Sequence, residues 1–202
     1  MSKNLLVINS SPLSEGSKSR ALTDTFAKEW RLKNTEVSIV ERDLSKTELG
    51  HLDEPTIGAF YTPEDQLNDD QKKRVALSNT LVDELIKADT IIIGAPMHNF
   101  SIPSTLKSYI DLVARVGKTF SYTEKGPKGL LKGKKAYVLT ATGGDYRDGS
   151  PASGMNFVDP YLRTVLGFLG ISDVEFISAI NSAKSDEGLS QAQELLKQTI
   201  AA

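Results

Sequence analysis

Met97, His98, Asn99 and Phe100 set a thioether, an imidazole, a carboxamide and a phenyl ring side by side, able to stack on a flat ligand and bond its edge. Two other short stretches could join them. Ser10-Ser11-Pro12-Leu13-Ser14-Glu15-Gly16-Ser17-Lys18-Ser19 is a hydroxyl-rich loop ahead of a helical pattern. Hydroxyls and amides at a helix N-terminus, backed by the positive end of its dipole, suit a phosphate; the plainer reading is a polar surface loop with a serine cap. The loop lacks the spaced glycines of the nucleotide-binding signatures, Gly-x-x-x-x-Gly-Lys-Ser/Thr and Gly-x-Gly-x-x-Gly. The third stretch, Ala141-Thr142-Gly143-Gly144, ends in paired glycines that let backbone approach a ligand with no Cβ between.

Composition narrows the chemistry. The 202 residues include no cysteine and two histidines far apart, His51 and His98, which excludes thiol catalysis and disulfides and argues against a transition-metal site. A net charge of −2, with no long basic block, argues against a nucleic-acid partner. No apolar run reaches the roughly 18 residues of a membrane span, and the first apolar run is too short for a signal peptide, so a cytoplasmic protein is expected. At this length one domain over residues 1–202 is expected.

The elements that must position the three stretches are read from periodicity. Thr90 onward (TIIIGAP) is a continuous apolar, β-branched run stopped by Gly94 and Pro96, which reads as a buried strand. Pro103 then opens a helix burying Leu106, Tyr109, Ile110 and Val113. Further strands are expected over residues 4–10, 36–44 (near the sheet edge), 136–140 and 174–178. Helices are expected from Ser19, with Leu22, Phe26, Ala27 and Trp30 inward, over 70–88, with Val75, Leu77, Leu81, Leu85 and Ile86 inward, from Asp159 as N-cap to Gly170, and over 190–202. Residues 45–68 form a long excursion with a short helix near 54–60. Residues 117–133 read as a lysine-rich, solvated hairpin, with a basic patch for phosphate or a nicotinamide cofactor as the alternative. Strand and helix alternate five times, so the fold class is α/β: a flavodoxin-like three-layer sandwich around a doubly wound, five-stranded parallel sheet.

In such a sheet all three stretches leave the carboxyl ends of strands and open at one edge. The first and third strands flank the switch point, where flavodoxin-like folds bind flavin mononucleotide (FMN). The serine loop would take the phosphate, and the other two loops the isoalloxazine ring.

The phrases INSSP, Ser17-Lys18-Ser19, GAPMHNFSIPSTLKSYIDLVARVGKTFSYTEKGPKGLLKGKKA, TATGG and DPYLRTVLGFLGI together resemble the FMN-dependent NADH:quinone oxidoreductases of the azoreductase family, over essentially the whole chain. The resemblance implies one FMN per subunit. Ser10, Ser17, Lys18 and Ser19 would lie on its phosphate and ribityl, Pro96, Met97, His98, Asn99 and Phe100 on the ring, and Ala141, Thr142, Gly143 and Gly144 on the pyrimidine edge. It implies a homodimer with active sites at the interface, and a substrate pocket bordered by Phe60, Tyr122, Tyr146 and Phe168. Family members often carry tyrosine where His98 stands, some carry arginine at Phe60-Tyr61, and some histidine at Tyr146; all three line the substrate side, so the resemblance carries fold and FMN further than it carries substrate preference.

The implied activity is ping-pong transfer of two electrons from NADH or NADPH to quinones, or to azo bonds with their cleavage. No catalytic triad is needed, because the cofactor carries the chemistry. Asn99 and the Gly143 and Gly144 amides would tune the flavin, with His98 and Tyr122 as candidates for protonating the reduced acceptor. A flavodoxin-type electron carrier and an NAD(P)H-dependent FMN reductase are the alternatives.

Overall fold

A computed structural model describes residues 3–34 and 36–201. The central sheet holds β1 (Lys3–Asn9), β2 (Val37–Asp43), β3 (Thr90–Pro96), β6 (Lys135–Ala141) and β7 (Asp173–Ala179), all parallel, in the order β2-β1-β3-β6-β7. The chain order therefore reverses between β1 and β3, as expected, and β2 lies at an edge. Every residue of β3 from Thr90 to Ala95 is buried, which is why its sequence runs apolar without alternating.

Helices cover both faces. On one, α1 (Lys18–Lys33) and α6 (Glu187–Ala201) bury Leu22, Phe26, Trp30 and Leu196 against Leu5, Val7, Ile92 and Leu139. On the other, α3 (Asp69–Lys87), α4 (Ser104–Val113) and α5 (Asp159–Leu169) cover Leu6, Ile8, Ile91, Ile93 and Val138. The residue Ala202, where the last helix was expected to end, lies outside the described residues. The excursion after β2 holds the short helix α2 (Glu54–Tyr61), capped by Asp53.

Two local expectations change. The buried stripe of α3 is Val75, Ser78, Leu81, Val82 and Leu85, whereas Ile86 is 48% exposed and Leu77 only half-buried. At 100° per residue Leu77 and Ile86 flank the stripe on either side, and Ser78 occupies its centre. Ser78 is tolerated there because its hydroxyl donates to the Leu112 carbonyl at 2.6 Å. Asp159 does not cap α5; it is the helix's first residue, and the Asn156 side chain accepts from the Val158 and Asp159 amides at 3.0 and 3.2 Å.

The lysine-rich segment is a hairpin of β4 (Phe120–Thr123) and β5 (Gly126–Gly129), turning through Gly126 at φ +104°. It is clasped to the far end of α5. A Cβ on Gly129 would fall 2.1 Å from the Gly170 nitrogen, and the Leu131 amide donates to the Leu169 carbonyl at 2.9 Å. Lys134 closes the C-terminus of α3 through the Ile86 and Ala88 carbonyls, and Lys135 pairs with Glu175 at 3.5 Å. Both sit at the amino edge of the sheet, so neither belongs to a basic patch beside the ligand loops.

Candidate functional site

Ladder partners bring the three loops together. Asn9 lies beside Gly94, and Pro96 beside Ala141, so the exits of β1, β3 and β6 are neighbours at about 5 Å per strand. Cross-links fix their heights: the Ser10 amide donates to the Gly94 carbonyl at 3.1 Å, Met97 to Ala141 at 2.9 Å, and Thr142 to Ala179 at 3.0 Å. Gly94 is needed for packing, because a Cβ there would lie 2.8 Å from Thr23 on α1. Thr23 in turn donates to Asn9 at 2.8 Å, locking helix to strand beneath the loop.

The β1–α1 loop bends through Gly16 at φ +68° into Ser17, whose hydroxyl caps α1 by accepting from Arg20. The first helical amides, Lys18 and Ser19, have no acceptor within the helix and face outward from its positive end. The Ser17 and Ser19 hydroxyls lie 3.3 Å apart, and the Lys18 ammonium pairs with Asp186. A groove of about 290 Å³ runs past Gly16, Ser17 and Lys18. Ser10 is different: it is 1% exposed and its hydroxyl donates to the Gly94 carbonyl at 2.7 Å. Its side chain is engaged inside the fold, which leaves backbone as its means of touching a ligand.

Arg20 was not singled out by its sequence pattern, yet it shapes this loop. Its guanidinium forks onto Asp43 at 2.9 and 2.7 Å, and its Nε and Nη2 donate to the Leu13 and Ser11 carbonyls, both at 2.7 Å. Arg20 holds the Asp43 carboxyl down at about 2, with Ser45 bonds assisting. Two backbone carbonyls of the loop are therefore pinned by one charged side chain tied to the end of β2.

The β3 exit is a tight turn closed by reciprocal bonds, His98 amide to Ser101 carbonyl at 2.8 Å and the reverse at 3.0 Å. Its two central residues, Asn99 at φ +48° and Phe100 at φ +70°, are both left-handed. Asn tolerates that region; Phe does so rarely, at roughly 1–3 kcal/mol. Met97 packs into the core, while His98, Asn99 and Phe100 stay exposed. The Phe100 ring meets Tyr146 edge-on at 6.2 Å, and its carbonyl accepts from Phe157 at 3.0 Å, which brings the exposed Phe157 to the same rim. Nothing in local patterning pointed to Phe157.

At the β6 exit Ala141 and Thr142 are buried and Gly143 is exposed. The turn after β7 braces this loop: Ser182 donates to the Thr142 carbonyl through its amide at 3.0 Å and its hydroxyl at 2.9 Å. Neither Gly143 nor Gly144 has positive φ. A Cβ on Gly144 would press the Tyr146 ring at 3.3 Å, but one on Gly143 would meet only Ala183 at an ordinary 3.6 Å. Internal packing does not require glycine at 143.

The other expected pocket residues lie elsewhere in the chain. Phe168 is near the far end of α5, about 15 Å of helix from Val158, and packs on Phe120 at 4.5 Å, which meets Tyr122 at 5.5 Å. Since Gly170 leads to Asp173, the ladder partner of Lys135, this aromatic group belongs to the amino edge. Phe60 lies under the Arg115 guanidinium at 3.9 Å, beside a separate cleft. One chain thus gathers Ser17–Ser19, Met97–Phe100, Ala141–Gly144 and Tyr146, and leaves Phe60, Tyr122 and Phe168 apart from them.

Residues 3–200 match a protein family described by its flavodoxin-like fold. Curated relatives include the FMN-dependent NADH:quinone oxidoreductases of Hydrogenovibrio crunogenus and Herminiimonas arsenicoxydans. Each is 50% identical over 196 residues, covering 97% of this chain and 96% of the relative. Among solved structures, the FMN-dependent NADH-azoreductase of Bacillus anthracis in complex with FMN superposes with a TM-score of 0.88 at 28% identity, over 98% of both chains.

Proposed function

The chain belongs to the flavodoxin-like family of FMN-dependent NADH:quinone oxidoreductases, and from that premise we propose how its residues carry out FMN-dependent reduction of quinones by NADH and reductive cleavage of azo bonds. The observation that carries the reading is Gly143, a glycine the fold does not need, placed where a flat ligand would meet backbone. The strained turn at Asn99 and Phe100 and the helix amides at Lys18 and Ser19 face the same edge, and this donor set fits a flavin phosphate with an aromatic ring beside it.

Bound FMN supplies the reversible acceptance of two electrons. In this reading the amides of Lys18 and Ser19, with the Ser17 hydroxyl and Lys18 ammonium, hold the phosphate, while the Ser10 hydroxyl fixes the loop from inside. Phe100, Tyr146 and Met97 wall off water from the ring. Asn99 and the Gly143 and Gly144 amides bond its polar edge, where negative charge grows on reduction. In this reading His98 Nε2 or Nδ1, and the Tyr122 hydroxyl of a second copy, deliver a proton to the reduced acceptor.

Tyr122, Phe168 and Phe60 serve this site from a second copy of the chain. What supports a homodimer is their separation from the loops within one chain, and the 67% exposure of Tyr122. NADH is the electron donor in this reading, and the cytoplasm its setting; among the described residues no helix is long and apolar enough to cross a membrane.

An anaerobic titration tests the proposal. Protein loaded with FMN and freed of excess is reduced with NADH and then given benzoquinone, with the flavin band at about 450 nm followed. Bleaching by NADH and full return with quinone are expected. A band that stays oxidised with NADH means an electron carrier, and flavin lost on desalting means the loops were misread.

A further inference from the structure

A second cleft, of about 310 Å³, opens between the end of α2, the middle of α3 and the Arg115–Lys118 turn after α4. None of the flavin-loop residues lines it. At its base lies Arg115, 5% exposed. Its Nη1 donates to the Ser78 hydroxyl at 2.6 Å and, weakly, to Asn79 Oδ1 at 3.4 Å. Its buried Nε has no hydrogen-bond partner. Among the described residues no carboxylate comes within ion-pair distance of this guanidinium. Glu64, exposed at the mouth, pairs instead with Lys118 at 3.6 Å. Lys118 also donates to Asn79 at 3.2 Å, so a second cation points to the same wall.

A guanidinium keeps its charge at any ordinary pH, and burying one without an anion is unfavourable unless something compensates. The Phe60 ring below Arg115 compensates in part, by its π face. What remains is an unpartnered Nε–H beside a cleft walled by Pro63, Leu67, Val75 and Val116. We propose that this cleft binds a small organic oxyanion, a carboxylate or phosphate head on Arg115 and Lys118 with an apolar body against that wall. Ser78 is part of the design: its hydrogen goes to the Leu112 carbonyl, so its oxygen can only accept from Arg115 and holds the fork in place. None of the three loops takes part in this site, and Phe60 is the one residue it shares with the function proposed above.

The test follows the Arg115 Nε–H resonance in the ¹⁵N-labelled full chain, as purified and again with FMN added, during separate titrations with benzoate and phenyl phosphate to about 10 mM, a range that captures weak single-site binding. A saturating shift is expected with or without FMN. Glu64→Gln should tighten it and Lys118→Gln weaken it, each by up to about fivefold, the scale of an exposed charge pair. Both substitutions are at the surface and leave the fold intact, while Arg115→Lys assigns the resonance. Saturation by phenyl phosphate alone assigns phosphate-bearing ligands, and saturation by both extends the site to carboxylates. No shift by either probe, or a shift that does not saturate or ignores both charge changes, overturns the proposal.

Discussion

Under the proposed function single residues decide how a ligand is held at the carboxyl edge, and Gly143, where the fold has room for a Cβ, is the most informative. Gly143→Ala should leave thermal stability within a degree or two, because the new methyl has ordinary room beside Ala183. FMN affinity should fall at least about tenfold, near 1.4 kcal/mol, as measured by flavin fluorescence titration. Equal losses of stability and affinity would mean the glycine serves the fold instead. Arg20 gives a second expectation. Arg20→Ala frees two loop carbonyls, so the preference for FMN over riboflavin, which lacks the phosphate, should shrink by about tenfold. Loss of both ligands in equal proportion would rule out a role at the phosphate. The serine and double-glycine stretches were legible because residue type alone marks them. Arg20 was not, since its partners Asp43, Ser11 and Leu13 meet it only after β2 has paired with β1. The left-handed state of Phe100 was equally hidden, because no local rule places a bulky ring there.

At the scale of elements, Asp43 ties β2 to the start of α1. Its carboxyl titrates at about 2 in the fold against 3.8 for the free group, with Arg20 as the main cause. A depressed carboxyl adds stability that is fully present above about pH 4 and disappears as pH falls through about 2; the difference corresponds to about 2 kcal/mol. Asp43→Asn should therefore lower the unfolding free energy at pH 7 by an amount that shrinks steadily in melts taken toward pH 2. A pH-independent difference would point to lost geometry and not to charge. Elements were legible wherever a long periodic pattern faced one layer, as in α1, where Leu22, Phe26, Ala27 and Trp30 all proved buried. Legibility failed where two layers compete for a helix. In α3 Ser78 is drawn inward by the Leu112 carbonyl and Arg115, and Ile86 turns out to solvent although apolar. The Asp-Pro start of α5 misled by a similar margin, since the capping oxygen comes from Asn156, three residues earlier.

For the whole molecule, the parallel, doubly wound sheet followed from the alternation of strands and helices, because right-handed crossovers allow few arrangements. The position of the β4–β5 hairpin did not, as it rests on a backbone contact between Gly129 and Gly170 that no pattern announces. That contact sets Tyr122 and Phe168 at the opposite edge from the three loops, so under the function proposed above a complete site takes two copies of the chain. Dilution should then lower specific quinone reductase activity in step with the dimer fraction seen by sedimentation velocity, with FMN binding less affected. Activity that stays constant through dissociation would show that one chain suffices.

The chain has one tryptophan, Trp30, stacked on Phe26 at 5.4 Å in the α1 layer. It stands 13 residues along the helix from the Ser17 cap, the end proposed above to take the phosphate, about 20 Å away. A single indole at that distance, with flavin absorption overlapping its emission, is an optical ruler already built into the protein. FMN loading should quench its emission without moving the maximum, and unfolding, by exposing an indole that is 9% exposed in the fold, should shift the maximum toward red. The two signals separate an empty site from a lost fold in one cuvette, for every variant described above.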